Sequence, residues 1–184
     1  MKLKNTVLSA MFISIGLILP FLTGQIQQIG NMLLPMHIPV LLCGLICGPL
    51  YGFLVGIILP IFRSFIFELP PLYPQATAMA FELATYGVII GFLYRHFPQQ
   101  NIKYLYLSMI ISMISGRIIW GIAEVILLSF VNTNFTFQAF ISGAILTAIP
   151  GILQQMIIIP AIMIALQKSK LISFSKRSEQ ISVK

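Results

Sequence analysis

Long apolar runs, separated by prolines, glycines and charged residues, dominate the pattern of this chain. The second run is short and contains Pro39, and Cys47-Gly48-Pro49 predicts a tight turn into the third. Most of the other runs approach or exceed the ~20 apolar residues that cross a bilayer. The pattern predicts an all-α integral membrane protein with six transmembrane helices, at about 6–23, 36–47, 49–67, 75–94, 103–128 and 138–167.

The composition supports a membrane location. Hydrophobic residues make up 58% of the 184 residues and charged residues only 8%, with a mean hydropathy of +0.98. A water-soluble fold of this size would leave its apolar surplus exposed. We therefore expect a single transmembrane domain over residues 1–184, in which residues 168–184 form a basic cytoplasmic tail.

The distribution of positive charge predicts the orientation. The formal charge is +7, yet no basic strip is interleaved with aromatic residues, so we expect no nucleic-acid partner. The connections 24–35, 68–74 and 129–137 contain no Lys or Arg. By the positive-inside rule, both termini are expected in the cytoplasm, with the chain in the plasma membrane. With six crossings, the side of the two termini collects nine cations, which are Lys2, Lys4, Arg95, Lys103, Lys168, Lys170, Lys176, Arg177 and Lys184.

Ionisable residues inside the apolar runs are the first candidates for function, because a charge within a bilayer is costly. In the predicted orientation all five of them fall in the outer half of the membrane. They are Arg63, Glu68, Glu82, Arg117 and Glu124.

Helical spacing groups polar residues into stripes. Arg117, Trp120 and Glu124 share one face of the fifth predicted helix, at i, i+3 and i+7. Glu82 and Tyr86 share one face of the fourth predicted helix, at i and i+4. With Gln154 on the sixth helix and Arg63 on the third, they are expected to enclose a small ligand. Asn31 and His37, near the outer mouth, are expected to cap this pocket.

The same residues allow two other interpretations. The arginines and glutamates can pair with one another and only fix the register of the helices. A membrane enzyme acting on lipid is disfavoured, because the sequence lacks an Asp pair, a Ser/His dyad and a His-rich metal-binding set. His37 and His96 are also predicted at opposite faces of the membrane.

The two cysteines, Cys43 and Cys47, lie one helical turn apart and make a poor metal site without further ligands. We therefore expect no catalytic residue and no metal site.

The first helix carries a strip of small residues, Ala10-x-x-x-Ser14, that permits close approach of another helix. No nucleotide-binding loop of the G-x-x-x-x-G-K-S/T type is found. With LPMHIPVLLCGLICGPLYGFLVG (34–56), AMAFELATYG (78–87) and SGRIIWG (115–121), the chain resembles the S components of energy-coupling-factor (ECF) vitamin transporters from about Leu8 to Leu166. That family usually has Ala-x-x-x-Ala on its first helix, so Ser14 is a conservative departure.

The resemblance implies a substrate-binding transport subunit and not an enzyme. Its partners would be a transmembrane coupling subunit, docked on Ala10 and Ser14, and two ATPase subunits that use ATP and Mg, with no cofactor in this chain. A loop between helices one and two would close over a vitamin taken from outside, and the subunit would then topple in the membrane. The resemblance implies pantothenate, or else pyridoxine or hydroxymethylpyrimidine. Of these, pantothenate is favoured because the two arginines predicted in the outer half could neutralise its carboxylate. The alternative is a stand-alone secondary carrier or channel for a small solute.

Overall fold

The computed structural model describes residues 2–23, 32–98, 100–130 and 147–169. This part of the chain is helical and contains no strand. A 3-10 turn, Leu19–Thr23, extends the first helix, and a π turn, Leu72–Ala76, precedes the fourth. The α-helices are α1 (Lys2–Ile18), α2 (His37–Cys47), α3 (Pro49–Phe67), α4 (Thr77–His96), α5 (Ile102–Ser129) and α6 (Ile149–Lys168).

Five of the helices in the described ranges are long and apolar enough to cross a membrane. The exception is α2, whose 11 residues extend over about 16 Å, against about 30 Å for a hydrocarbon core. The all-helical membrane class is therefore confirmed, whereas the prediction of six crossings is not. The first part of the predicted sixth helix, 138–146, and the tail from 170 onward lie outside the described residues.

The outer surface of the helices is apolar. On α3 and α5, large hydrophobic residues four positions apart are exposed along one face of each helix. Stripes of this size, unpartnered in the described structure, suit contact with lipid chains. Together with the five spanning helices, they identify a multi-pass membrane protein. The stripes consist of Leu54, Ile58, Phe62 and Ile66 on α3, and Ile110, Ile114, Ile118 and Ile122 on α5.

Glycines bring α4 into close contact with α2 and α3. A methyl group added at Gly44 of α2 or at Gly52 of α3 would lie 2.6 Å from the carbonyl oxygen of Gly87 on α4. Such a distance leaves no room for any side chain, so the backbones themselves are in contact. This packing places α4 in the interior, where Glu82 and Tyr86 are fully buried.

Basic residues gather at one end of the bundle. The side-chain amide of Asn5 on α1 donates to the Cys47 carbonyl at the end of α2, at 3.3 Å. Gly48, with φ of 103°, makes the tight turn into α3, and the guanidinium of Arg95 lies beside it. Lys103 begins α5 at the same end, since α4 and α5 are consecutive. We call this end of the molecule the basic end.

Candidate ligand-binding site

A carboxylate at the centre of the bundle joins three helices. One oxygen, Oε1 of Glu82, lies 3.0 Å from Nη1 of Arg117 on α5 and accepts a hydrogen bond of 3.0 Å from the Tyr86 hydroxyl. Nε2 of His37, the first residue of α2, lies 3.5 Å from the same oxygen. Burial makes such interactions strong, because little water competes for the charges. We call these four residues the Glu82 cluster.

Local sequence explains how the cluster is assembled. Glu82 and Tyr86 are separated by four residues, so they lie on one face of α4. The Tyr86 ring packs against Gly116 of α5, where a β-carbon would overlap the ring atoms Cδ1 and Cε1. Its centroid is 5.3 Å from that of His37. Gly116 directly precedes Arg117, so the close approach of Tyr86 to α5 also brings Glu82 to the arginine.

The cluster lies deep in the protein. Counted along the helices from the basic end at 1.5 Å per residue, His37 is about 15 Å in, and Glu82 and Arg117 are each about 21–23 Å in. His37 is also completely buried. His37 therefore lies inside the bundle beside Glu82, and its predicted role as a cap over the pocket stays a prediction.

Several buried polar atoms of the cluster make no hydrogen bond within the described part of the chain. They include Nε and Nη2 of Arg117 and both ring nitrogens of His37. His37 is near Glu82, but 3.5 Å is at the outer limit for a hydrogen bond. Buried polar atoms are nearly always paired in proteins, so unpaired atoms at one place need an explanation. A bound ligand is such an explanation.

The beginning of α6 lies against the segment that leads into α2. A methyl group at Gly151 would lie 2.6 Å from the Met32 carbonyl oxygen. Gln155, one turn further along the same face, is buried, and its Nε2 atom has no hydrogen-bond partner in the described structure. Gln154, the residue predicted from the sequence, is half-buried with an unpaired Oε1, whereas Gln155 was not predicted. The spacing of four from Gly151 was the available signal.

Glu124 and Trp120 lie further along α5, beyond Arg117. Glu124 is buried and is within electrostatic range of Glu82. It lies outside ion-pair distance of the described cations, so the predicted stripe faces the interior without closing a second ion pair there. Trp120 is half-buried one turn from Arg117.

Arg63 lies apart from the Glu82 cluster. Its Nη1 donates to the carbonyl of Leu17, near the end of α1, at 2.9 Å, and its guanidinium is 5.7 Å and 5.2 Å from the ring centroids of Phe21 and Phe67. The carbonyls that end a helix carry partial negative charge, and aromatic faces attract cations. Arg63 therefore interacts with the end of α1. These contacts do not support the expectation that Arg63 lines the same pocket as Arg117.

The remaining predicted residues fall on α1 or outside the described ranges. Ala10 and Ser14 are exposed on α1, and the Ser14 hydroxyl donates to the Ala10 carbonyl at 3.0 Å. The opposite face of α1, with Ser9 and Gly16, is buried, and Gly16 packs against Leu59 of α3. Asn31 is outside the described residues.

Comparison with known proteins identifies the family. Neither the curated proteins nor the solved structures include a significant match to this chain. A family model described as "ECF transporter, substrate-specific component" matches residues 4–167, which is most of the chain. This family comprises substrate-binding transport components, which are not enzymes and which associate with an ECF coupling module and its ATPases. Because this match covers most of the chain, the chain belongs to the substrate-specific components of ECF transporters.

Proposed function

We propose that this chain is the S component of an ATP-driven importer in the plasma membrane and captures a small water-soluble vitamin from outside. In this proposal the basic end faces the cytoplasm together with both termini. The proposal keeps six crossings, with the helix at about 36–47 as the second. The positive-inside rule supports this orientation, since Arg95 and Lys103 lie at the basic end.

The observation that carries the proposal is the Glu82 cluster, with its unpaired buried atoms on α2 and α5. Ionisable groups at this depth are expensive, and in membrane transport proteins they commonly mark a substrate site. An ion pair that only fixed the register of α4 and α5 would explain the contact between Glu82 and Arg117. It would not explain the hydrogen-bonding capacity left over on Arg117 and His37.

Pantothenate is our first candidate for the vitamin, with pyridoxine or hydroxymethylpyrimidine next. Arg117 offers a cation to the carboxylate of pantothenate. Glu82 would suit the protonated or amino-bearing ring of the other two vitamins, but its Oε1 already faces Arg117, Tyr86 and His37. Arg63, which lies at the end of α1, adds no support for an anionic ligand in this site.

The exposed small strip on α1 is the proposed docking surface for a transmembrane coupling subunit. Ser14 turns its hydroxyl back to the Ala10 carbonyl, so it presents a small and internally satisfied surface, much as the usual alanine would. Two ATPase subunits, using ATP and Mg, would drive the toppling of this chain; we propose no cofactor for the chain itself.

Binding and transport separate this proposal from its alternative. Purified protein is titrated with pantothenate, pyridoxine and hydroxymethylpyrimidine, and uptake of each is measured in liposomes with and without a coupling module. We expect binding by the chain alone, and uptake only with the module and ATP. Uptake by the chain alone would instead support a stand-alone carrier, and absence of binding to all three would contradict the proposed ligands.

A further inference from the structure

The two unpaired nitrogens of Arg117 lie on the same edge of its guanidinium group. Nη1 is engaged by Glu82 at 3.0 Å, whereas Nε and Nη2 have no hydrogen-bond partner in the described residues. The N–H bonds of Nε and Nη2 are parallel and form the edge that binds both oxygens of a carboxylate at once. The contact with Glu82 therefore leaves the bidentate edge of Arg117 unused.

The described part of the chain offers no carboxylate to this edge of Arg117. The whole chain contains four acidic residues. Glu82 is held on Nη1, Glu68 is exposed at the end of α3, and Glu124 is outside ion-pair distance of Arg117. The fourth, Glu179, belongs to the C-terminal tail, and the residues 24–31 and 131–146 contain no acid. An anion on the free edge of Arg117 would thus come from a ligand.

The surroundings of Arg117 also favour a ligand rich in acceptors. The two unpaired nitrogens of Arg117 are N–H donors, and a neutral His37 adds one more donor, because one of its two unpaired ring nitrogens carries a hydrogen. The N-terminus of α2, which carries partial positive charge, begins at His37 inside the bundle. Glu82 and Arg117 neutralise each other, so this partial charge helps to offset the negative charge that a carboxylate would add.

We propose that Arg117 binds a carboxylate of the transported solute through Nε–H and Nη2–H. In this arrangement Glu82 is a positioning residue that orients the guanidinium, and it does not contact the carboxylate. This inference rests on the proposed function and narrows it: the substrate belongs to the carboxylate-bearing solutes, and a solute that carries only an amine or a neutral ring is not the substrate.

The experiment compares a carboxylate with its neutral counterpart. Equilibrium binding to the purified full chain is measured for pantothenate and pantothenol, which has an alcohol in place of the carboxylate, and for the pair nicotinate and nicotinamide. Pyridoxine and hydroxymethylpyrimidine complete the panel. A bidentate charged contact predicts a preference for a carboxylate on the order of 10- to 100-fold.

Variants test the separate roles of the two residues. Arg117→Gln should reduce that preference to about onefold, and Arg117→Lys, which keeps the charge but loses the paired donors, should give an intermediate value. Glu82→Gln should weaken binding but retain a preference for the carboxylate. The matched control is Ile118→Ala, on the exposed face of α5 beside Arg117. If Arg117→Gln does not fold, the inference is still tested by the carboxylate preference of the wild-type protein and of Arg117→Lys, measured with the same ligand pairs.

Each outcome supports or overturns the inference. The inference would be overturned by an undiminished preference in Arg117→Gln or Arg117→Lys. Complete loss of preference in Glu82→Gln, with the preference kept in Arg117→Gln, would also overturn it. Binding of pyridoxine or hydroxymethylpyrimidine with no binding of a carboxylate would also overturn it, while leaving a vitamin S component standing. Failure of the whole panel to bind, with no uptake through a coupling module, would refute the proposed function together with the inference.

Discussion

The aromatic ring of Tyr86 occupies the space that a side chain at Gly116 would need. This contact sets the distance between α4 and α5 beside the Glu82 cluster. Because Gly116 is followed by Arg117, and Tyr86 bonds to Glu82 at 3.0 Å, the packing of one ring and the geometry of the ion pair are linked.

Gly116→Ala is expected to displace the Tyr86 ring and to weaken ligand binding. Overpacking of a tight contact costs about 1–3 kcal/mol, and the shifted ring would withdraw its hydroxyl from Glu82. The measurement is the thermal midpoint in detergent together with ligand affinity. In a Tyr86→Ala background the alanine at Gly116 should have little further effect, because the ring it displaces is gone. Equal effects in both backgrounds would show that the contact is not responsible.

Tyr86→Phe isolates the hydrogen bond from the packing. The ring stays against Gly116, but Glu82 loses a neutral donor at 3.0 Å, which is expected to cost about 1–3 kcal/mol. We expect a lower thermal midpoint and affinity reduced several-fold. Tyr104→Phe, in the half-buried tyrosine near the basic end that stacks on Phe97, is the control and should change neither quantity appreciably. An unaltered midpoint in Tyr86→Phe would contradict a structural role for this hydroxyl.

Sequence patterns predicted the helical membrane class because its signal is local. An apolar run such as 49–67 predicts both that α3 lies in a bilayer and how long it is, without reference to any other helix. The same pattern did not reveal the depth of His37. His37 lies 10 residues before Cys47, which is at the basic end, and this separation sets its depth in the bundle. The nearness of His37 to the preceding loop in the sequence does not give that depth.

The candidate site was only partly predictable for a similar reason. Glu82 and Tyr86 lie on one helix, four residues apart, so their shared face could be predicted from spacing. The partners of Arg63 and Arg117 depend on which helices are neighbours. Both arginines lie in apolar runs at similar depth, yet Arg63 reaches the end of α1 and Arg117 reaches Glu82. Helical spacing contains no information about this difference.

Arg63→Met tests the separate role of Arg63. The variant loses the hydrogen bond to the Leu17 carbonyl and the interactions with Phe21 and Phe67. A hydrogen bond from a charged group contributes about 1.5–3 kcal/mol, so the thermal midpoint should fall by several degrees. The preference for a carboxylate over its neutral counterpart should fall less than in Arg117→Gln. Phe62→Ala, at an adjacent exposed position on α3, controls for general effects on that helix.

An equal loss of carboxylate preference in Arg63→Met and Arg117→Gln would contradict this separation. It would indicate that both arginines act on the ligand, as the stripes of polar residues first predicted. A lowered midpoint with retained preference would instead confirm that Arg63 anchors the end of α1.

Bulk on the exposed face of α1 is expected to uncouple binding from transport. Ala10→Trp or Ser14→Trp adds a large side chain where a partner helix would approach, and it alters nothing in the buried Glu82 cluster. Ligand affinity of the isolated chain should stay within about twofold, a difference of ~0.4 kcal/mol, whereas ATP-dependent uptake with the coupling module should be abolished. Ser14→Ala, which restores the usual small residue, should transport normally.

The matched control for bulk is Ile114→Trp, on the exposed apolar stripe of α5. A tryptophan there faces lipid and should affect neither binding nor uptake. Uptake that survives Ser14→Trp would place the docking surface elsewhere. Uptake lost equally in Ile114→Trp would mean that any added bulk disturbs movement of the subunit in the bilayer, in which case the α1 strip has no special role. Loss confined to Ala10→Trp and Ser14→Trp would identify α1 as the surface that meets the partner, because these variants differ from the control only in the helix that carries the bulk.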